Sequence, residues 1–403
     1  MRTRGLTLLA IVSLFVLAPH DGALRASKAA YQTGFTHWRS ADGGFGQWNL
    51  TGAVLSGGSV QLDPASAATE TDPYPPLGYY GHNFYNGGSY YVGEARSPVV
   101  PLAIPVQEAI ASWNADTPPG TWFEMLISAY DGSRWTKWYN LGIWASDPST
   151  VERHSVSLQG DADGYVAVDT LVLDKKFVAT ALQLKVRLFA ASVDVTPTLR
   201  SLGLTFSATA PKKATASASD PASWNITLPV PECSQMVYPD GGTVWCSPTS
   251  TSMVLGYWTD DTGPCEPRVR AAVAGVYDWK YDGHGNWPFN TAYAATTGLE
   301  AYVVRFSSMA EIEPWVKAGV PVVISYAWNK DLTGAPLPSS PGHLAVVVGF
   351  DSTGNPVVND PAAATDADVQ RVYLRGELEP LWLTSSGGTT YLIFPAGHSV
   401  PQL

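Results

Sequence analysis

The chain has 403 residues, which is enough for two domains of ordinary size. Its formal net charge of −11 at pH 7, with no Lys/Arg-rich run, argues against a nucleic-acid partner. After the N-terminal region no apolar stretch reaches roughly 18 residues, so the sequence predicts no membrane span.

The first 26 residues have the pattern of a secretory signal peptide. Arg2 and Arg4 precede an apolar segment, residues 6–18, that is too short to span a membrane comfortably. The small residues Ala23 and Ala26 follow, where cleavage would be expected. We therefore expect residues 1–26 to be removed and the protein to be secreted, as a bacterial exported protein would be.

Residues 31–207 are predicted to form an all-β domain. Short runs of alternating apolar residues lie between turn signals such as Asp131-Gly132 and Asp163-Gly164. Four of these runs are predicted strands: residues 122–129, 138–144, 165–173 and 181–189. Strands at this spacing are typical of a β-sandwich or a jelly roll. The many Trp and Tyr side chains either fill its core or stack on sugars, in which case the domain would bind a glycan.

The rest of the chain divides into a linker and a second domain. Residues 208–223 are rich in Ala, Ser, Thr, Pro and Lys, which predicts a flexible linker. Residues 224–403 then mix helical and strand patterns, as expected for an α+β domain. Besides the helix described next, the predicted helices are 268–277, 287–297 and 310–318, and the predicted strands are 301–306, 321–326, 344–350, 356–359 and 390–394.

A cysteine stands at the start of a predicted helix in residues 243–258, TVWCSPTSTSMVLGYW. Pro248 suits a first helical turn, and Ser247 before it is suited to an N-cap. Four large residues recur at spacings of three and four, which predicts a buried stripe: Met253, Val254, Tyr257 and Trp258. Because unpaired N–H groups at a helix start favour a thiolate, Cys246 is a candidate nucleophile. The alternative is a structural cysteine, buried as a small hydrophobe.

The chain contains three cysteines, so at least one thiol has no partner within it. The most economical arrangement is a Cys233–Cys265 disulfide with Cys246 free. A bridge that closes a loop of about 30 residues contributes roughly 3–4 kcal/mol to stability. Other pairings remain open on the sequence alone.

A base and an orienting acceptor for a cysteine nucleophile occur downstream. His343 precedes the predicted strand 344–350, and Asp360 follows the predicted strand 356–359. The intervening DSTGN, residues 351–355, predicts a hairpin turn that would place Asp360 within a few residues of His343 across the strand pair, in a register that the sequence does not fix. Asp360 would then accept the imidazole N–H, with Asn359 as the alternative orienting residue.

An oxyanion-binding group is also present. Gln235 stands eleven positions before Cys246 (246 − 235 = 11), and its side-chain amide with the Cys246 N–H would bind the oxyanion of a tetrahedral intermediate. His284, in DGHGNW, is a loop histidine that could line the same cleft. The histidines of residues 31–207 are isolated from one another, and we expect no metal and no organic cofactor.

These residues together carry a family resemblance. The order Gln235, Cys246, His343 and Asp360 occurs within V-P…S-Q…C-x-P-x-S-x-x-M and G-H…V-V-x-G-F-D…D-P. Over residues 225–394 this set resembles the C39-like cysteine peptidases of the papain-like superfamily. The resemblance implies a papain-like fold, in which a helix with the cysteine packs on a small antiparallel sheet with the histidine and aspartate. It also implies a nucleophile, a base, an orienting acid and an oxyanion donor at Cys246, His343, Asp360 and Gln235.

The chain departs from the family pattern in two respects. Members often have glycine after the cysteine, where this chain has Ser247. Better-known members are fused to membrane transporters and cut leader peptides, whereas this chain has a β domain in front. The leader-peptide substrate is therefore not carried over.

We expect an exported cysteine hydrolase that cleaves peptide or other amide bonds through a thioester. Its substrate would be a peptide or protein outside the cell. One alternative is a cell-wall amidase that acts on peptidoglycan peptides, with a glycan bound by the β domain. The other is a non-catalytic binding protein that keeps a peptidase-like domain.

Overall fold

Two antiparallel sheets make up the N-terminal domain in the computed structural model, which describes residues 31–403. The predicted signal peptide, residues 1–26, lies outside the described residues. The strands of this domain are β1 (Thr33–Arg39), β2 (Asn49–Thr51), β3 (Ala53–Ser56), β4 (Ser59–Leu62), β5 (Ala68–Thr71), β6 (Ser89–Arg96), β7 (Val100–Val106), β8 (Glu108–Asp116), β9 (Thr121–Tyr130), β10 (Tyr139–Trp144), β11 (Gly164–Ala167), β12 (Thr170–Leu173), β13 (Ala179–Ala190) and β14 (Thr198–Ser207). The all-β prediction for this region is confirmed.

The two sheets share one hydrophobic core. The first sheet has the order β11-β12-β8-β14-β4-β3 with β1 also on β14, and the second has β10-β9-β13-β6-β2 with β5 on β6 and β7 on β13. Trp113 and Leu204 of the first sheet and Met125 and Val186 of the second belong to the same buried cluster. Trp113, Trp122 and Trp144 are fully buried, so these tryptophans fill the interior and offer no surface to a sugar.

One predicted strand of this domain is wrong. Residues 165–173 form a hairpin, in which β11 pairs with β12 from Gly164↔Leu173 to Ala167↔Thr170. The turn between them contains Val168 at φ +61°, a backbone conformation that β-branched residues rarely adopt. Because no Gly, Asn or Pro marks this turn, the alternating pattern runs through it without interruption.

The C-terminal domain is built on a third antiparallel sheet, and its α+β class is confirmed. Its elements are β15 (Ile226–Thr227), α1 (Cys246–Trp258), α2 (Cys265–Val276), α3 (Trp287–Ala295), β16 (Leu299–Arg305), α4 (Glu313–Lys317), β17 (Val322–Asn329), β18 (Ser339–Phe350), β19 (Pro356–Asn359), β20 (Gln370–Val372), α5 (Arg375–Ser386) and β21 (Thr389–Pro395). The strand order is β16-β21-β17-β18-β19-β20, and β15 pairs with β18.

Helices cover both faces of this sheet. Val346 and Val348 of β18 pack in one cluster with Met253 of α1, while Ala345 and Val347 pack in the other with Trp382 of α5. Successive residues of β18 belong to different clusters because successive side chains of a strand point to opposite faces of the sheet. Helix α5 is absent from the sequence-based prediction because Pro380 lies inside it, and proline normally argues against a helix interior. The predicted helix 310–318 is a short 3₁₀ turn followed by α4.

The segment predicted as a flexible linker, residues 208–223, is held against the C-terminal domain. The backbone N–H of Ser217 donates to Glu379 (3.0 Å), and the Ser219 hydroxyl donates to Glu313 (2.6 Å). Both carboxylates are buried and also bind Arg375. Low-complexity composition does not exclude such bonds, because they use a backbone N–H group and a serine hydroxyl.

Polar side chains of the N-terminal domain cover the free edge of β16. The Asn114 side chain accepts from the Ala301 N–H (2.8 Å) and donates to the Ala301 carbonyl (3.0 Å), as a neighbouring strand would. The Ser112 hydroxyl accepts from Val303 N–H and the Thr205 hydroxyl from Arg305 N–H, both at 3.0 Å. An exposed sheet edge is thereby paired within the chain, and the two domains share a buried polar interface.

Replacing Asn114 by alanine is expected to lower the free energy of unfolding by about 2–3 kcal/mol, because it leaves the buried Ala301 N–H and carbonyl without partners. Urea unfolding of the full chain measures this loss. Asn86 makes only exposed loop hydrogen bonds, so Asn86→Ala serves as control and should change stability by no more than about 0.5 kcal/mol. Equal stability of the two variants would contradict the interface described here.

Candidate active site

Helix α1 begins at Cys246, so its thiol lies at the first helical position. The predicted N-cap is wrong: Trp245 precedes the helix and makes no side-chain cap bond, while Ser247 lies inside it. The Ser247 hydroxyl instead forms a 2.9 Å hydrogen bond with the Tyr391 hydroxyl of β21. The first N–H groups of a helix have no intrahelical acceptor. The Cys246 thiol, which is free and partly exposed, belongs to the residue at this end of the helix.

The rest of α1 is buried on all sides rather than along one stripe, from Ser247 to Gly256. Four of its five serine and threonine side chains, those of Ser247, Ser250, Thr251 and Ser252, form hydrogen bonds inside the protein, whereas the Thr249 hydroxyl has no partner among the described residues. The Ser250 hydroxyl donates to the carbonyl of Leu344 (3.1 Å), the residue after His343. Ser250 therefore joins the helix that carries the cysteine to the strand that carries the histidine, a contact that the sequence did not indicate.

His343 and Asp360 are brought together by the hairpin of β18 and β19. The two strands pair from Val346↔Asn359 to Phe350↔Pro356, with an irregularity near Gly349. The His343 Nε2 lies 2.7 Å from the Asp360 Oδ1, and both side chains are buried. The imidazole also packs edge-on against Tyr326 (5.5 Å between ring centroids) and Trp328 (5.4 Å), which restrict its orientation.

The Asp360 carboxylate accepts four hydrogen bonds. Its Oδ1 accepts from His343 and from the backbone N–H of Ala362 (2.9 Å). Its Oδ2 accepts from the hydroxyls of Tyr326 (3.1 Å) and Tyr373 (2.6 Å). A buried charge is tolerated when its lone pairs are satisfied in this way. The two tyrosines, which come from β17 and from the segment after β20, carry no signal in the sequence that marks them as partners of Asp360.

His343 and Asp360 each shift the pKa of the other towards its charged form. Burial alone would lower the pKa of His343, but the Asp360 carboxylate and Cys246 outweigh it and raise that pKa to about 10. Burial alone would raise the pKa of Asp360, but His343 and the hydrogen-bond donors lower it to about 2. An imidazolium–carboxylate pair is therefore the favoured state at neutral pH.

The remaining imidazole nitrogen is available to the cysteine. Because Nε2 binds Asp360, Nδ1 is the imidazole atom left for the Cys246 thiol, which lines the same cavity as His343. The structure thus joins two of the four predicted site residues, His343 and Asp360, by a hydrogen bond and places a third, Cys246, in the cavity that His343 lines.

The fourth predicted residue, Gln235, is held near them by the loop that contains Asp360. The Gln235 N–H donates to the carbonyl of Pro361 (2.8 Å), and the Ser234 hydroxyl bonds the carbonyl of Ala363. The Gln235 side chain is buried, lines the same cavity as Cys246, and has no partner for its Oε1 among the described residues. Asn359, the alternative orienting residue, does not contact His343: its amide donates to the carbonyl of Val230 (3.1 Å).

The cysteine pairing is resolved in the structure. Cys233 and Cys265 form a disulfide across 32 residues, with 5.7 Å between their Cα atoms, and Cys246 is free. The bridge ties the segment before Gln235 to the start of α2. It therefore restrains the backbone that presents Gln235, besides its effect on the unfolded chain.

A cavity of ≈ 810 Å³ opens beside Cys246. Its walls include Gln235, His343 and His284 from the C-terminal domain, and residues of the N-terminal domain as well. The Nδ1 of His284 is buried without a hydrogen-bond partner in the described part of the chain, and burial lowers the pKa of this histidine. Such a volume is within the usual range of ligand-binding clefts.

Two further features are absent from residues 31–403. No group of three or more His, Cys, Asp or Glu side chains there is arranged to hold a metal ion. None of the helices in that range combines the length and apolar character needed to cross a membrane.

Both halves of the chain match known families. Residues 34–207 are similar to the family described as Peptidase C39 N-terminal domain, and residues 227–390 to the Peptidase C39-like family. No curated protein matches the chain.

Two solved structures have a weak likeness to the chain. A family two carbohydrate esterase from Cellvibrio japonicus is 12% identical, with 45% of this chain and 36% of that chain covered and a TM-score of 0.17. The CBM22-1-GH10 modules of the Clostridium thermocellum endo-1,4-beta-D-xylanase 10B, complexed with xylohexaose, are 11% identical, with 45% and 30% covered and a TM-score of 0.18. The chain spans about a third of the length of each, and such TM-scores carry no argument about fold or ligand.

Proposed function

We propose that this protein is an exported cysteine peptidase that cleaves peptide or other amide bonds, since residues 227–390 match the Peptidase C39-like family. The observation that carries the proposal is the buried His343–Asp360 pair, 2.7 Å apart, beside the free thiol of Cys246. A nucleophile, a base and an orienting acceptor in series are what acyl transfer from an amide requires. Binding without catalysis does not require this arrangement.

The reaction proceeds in two halves. The Cys246 sulfur attacks the carbonyl carbon of the amide, and the carbon–nitrogen bond breaks as His343 gives its proton to the leaving amine. This leaves a thioester on Cys246. A water molecule then attacks the thioester, His343 takes up its proton, and the acid product leaves as the thiol is restored. Asp360 keeps the imidazole oriented and stabilises its positive charge throughout.

The oxyanion of each tetrahedral intermediate would be bound by the N–H of Cys246 and the side-chain amide of Gln235. The helix start supports the first assignment, since that N–H has no intrahelical acceptor. The position of Gln235 supports the second, because its buried side chain lines the cavity next to the thiol and its amide NH2 group can donate to an oxyanion.

A papain-like arrangement is part of the proposal. Helix α1, which carries the cysteine, packs on β18, which carries the histidine, in one hydrophobic cluster. The order of the site residues along the chain, Gln235, Cys246, His343 and Asp360, also agrees with a papain-like arrangement.

Export is proposed on two grounds. Residues 1–26 have the sequence pattern of a signal peptide. The Cys233–Cys265 disulfide is typical of proteins from oxidising compartments. The substrate is accordingly a peptide or protein outside the cell, and peptides of the cell wall belong to this class.

Alkylation of the free thiol tests the proposed chemistry. Under non-reducing conditions iodoacetamide should label Cys246 alone, and hydrolysis of an internally quenched peptide library should fall in proportion to the labelled fraction. Peptide mass mapping measures the label, with the Cys246→Ala variant as the unlabelled control. Hydrolysis by fully alkylated protein, or no hydrolysis of any pool by unlabelled protein, would count against the proposal.

A further inference from the structure

A hairpin of the N-terminal domain forms one wall of the catalytic cavity. Val168 and Asp169, at the turn between β11 and β12, line the cavity that Cys246 and His343 also line. Thr170 and Val172 of β12 extend the same wall. The left-handed backbone at Val168 is uncommon for such a residue, and conformations of this kind concentrate at functional sites. The N-terminal domain therefore contributes side chains to the cavity of the candidate active site.

Asp169 is the buried ionisable group of this turn. Its side chain accepts hydrogen bonds from the backbone N–H of Trp287 (2.7 Å), at the start of α3, and from the Thr170 hydroxyl (2.9 Å). A carboxylate has room for about four such bonds. These two bonds position the carboxylate and leave acceptor capacity for a ligand in the cavity.

Carboxylates outnumber cationic side chains among the described residues that line the cavity. Glu108, Asp169 and Asp282 are acidic, while the cations are Arg305 and the protonated His343. Arg305 is paired with Glu108 at 2.5 Å, and His343 is paired with Asp360 at 2.7 Å. Burial raises the pKa of Asp169 to about 7. Asp169 is therefore a buried acid of this wall that forms no salt bridge with any of the described residues.

Asp169 and Cys246 line the same cavity, together with Tyr281. Burial raises the pKa of Tyr281 and of Tyr391, and the charges of Asp169 and Cys246 raise both further. Charges that act across a partly enclosed cavity are screened less than charges on the open surface.

We propose that the β11–β12 turn is a specificity-determining element and that Asp169 selects substrates with a positively charged group, such as a lysine or arginine side chain, close to the scissile amide. The inference rests on the proposed function and deepens it. A carboxylate held at a fixed position in a cavity can pair with such a cation, whereas a neutral or acidic substrate would leave it unpaired.

Charged thiol reagents test the electrostatic part without relying on hydrolysis. A methanethiosulfonate forms a mixed disulfide with Cys246 and releases methanesulfinate, so its rate reports the local potential. At pH 8.5, where Asp169 is ionised, we compare a trimethylammonium-ethyl reagent with a sulfonatoethyl reagent. Asp169→Asn should lower the cation-to-anion rate ratio about threefold to tenfold. Asp174→Asn removes the same charge from an exposed position outside the cavity and should leave the ratio within about twofold.

Matched substrates test the specificity. Pairs of peptides that differ only by arginine or citrulline are compared by kcat/KM. Wild-type protein should prefer arginine, and Asp169→Asn should reduce the preference at least about fivefold through a higher KM for the arginine peptide. The citrulline peptide should be cleaved at the wild-type rate, which a merely structural role for Asp169 would not produce.

The outcomes separate the two proposals. An unchanged reagent ratio in Asp169→Asn, or no arginine preference in the wild type, overturns the role of Asp169 while hydrolysis through Cys246 stands. A fall in the reagent ratio without hydrolysis of any peptide supports charge selection by Asp169 and overturns the proposed function. Asparagine can keep the hydrogen bond from Trp287, and circular dichroism of the variant checks that its fold is retained.

Discussion

Replacing Cys246 by alanine is expected to abolish hydrolysis, with kcat/KM reduced on the order of 10⁴-fold or more, because no other group can form the thioester. The fold should remain, since the side chain is partly exposed and makes no crosslink; we expect the free energy of unfolding to change by less than about 1 kcal/mol. Steady-state kinetics with the quenched peptides and urea unfolding measure the two quantities.

Val244→Ala is the matched control for this variant. Val244 lies two residues before the cysteine, lines the same cavity and is 64% exposed. Its truncation should change kcat/KM by no more than a few-fold. A Cys246→Ala protein that keeps wild-type activity would exclude the mechanism.

Replacing Asp360 by asparagine is expected to lower kcat/KM by on the order of 10²–10⁴-fold, because the imidazolium loses its stabilising charge while its hydrogen bond is kept. The size of the side chain is unchanged, and the hydroxyls of Tyr326 and Tyr373 can rotate to accept from the new amide. Tyr373→Phe is the comparison: it removes one donor and leaves the carboxylate, so its loss should be less than about tenfold. Equal losses in the two variants would show that packing rather than charge is what Asp360 supplies.

The pH dependence of stability follows from the same pair. The raised pKa of His343, about 10, gives stability that is complete below its unfolded value and is lost as the pH rises through about 10. The lowered pKa of Asp360, about 2, gives stability that is present above its unfolded value and is lost as the pH falls through about 2. Wild-type protein should therefore exceed Asp360→Asn in unfolding free energy by the largest margin between about pH 4 and 6.5. A margin that did not change with pH would contradict the ion pair.

Features that depend on a short stretch of chain were predictable. Cys246 lies at a helix start because Pro248 suits the first turn and the apolar residues recur with helical spacing. The hairpin that brings His343 and Asp360 together was predictable because residues 351–355 have the composition of a turn, whereas the register of its strands, which shifts near Gly349, was not. The family resemblance rested on the same short stretches, which is why it extended to Gln235.

Features that depend on distant parts of the chain were not predictable. Nothing in the local pattern at Tyr373 distinguishes a core tyrosine from a donor to Asp360, because the contact forms only when β20 pairs with β19. The turn of Val168 and Asp169 contains no Gly, Asn or Pro, and a single Asp within an alternating apolar pattern was not enough to distinguish this hairpin from one predicted strand.

By itself, the sequence determined the class of each domain and the choice of candidate site residues, since both follow from local periodicity and from residue type. Only the tertiary structure decided that the N-terminal domain pairs with the edge of β16 and contributes a wall of the cavity, and that residues 208–223 are bound rather than free. The physical reason is that these features arise from hydrogen bonds and burial between segments far apart in sequence, which exist only after the sheets have packed together.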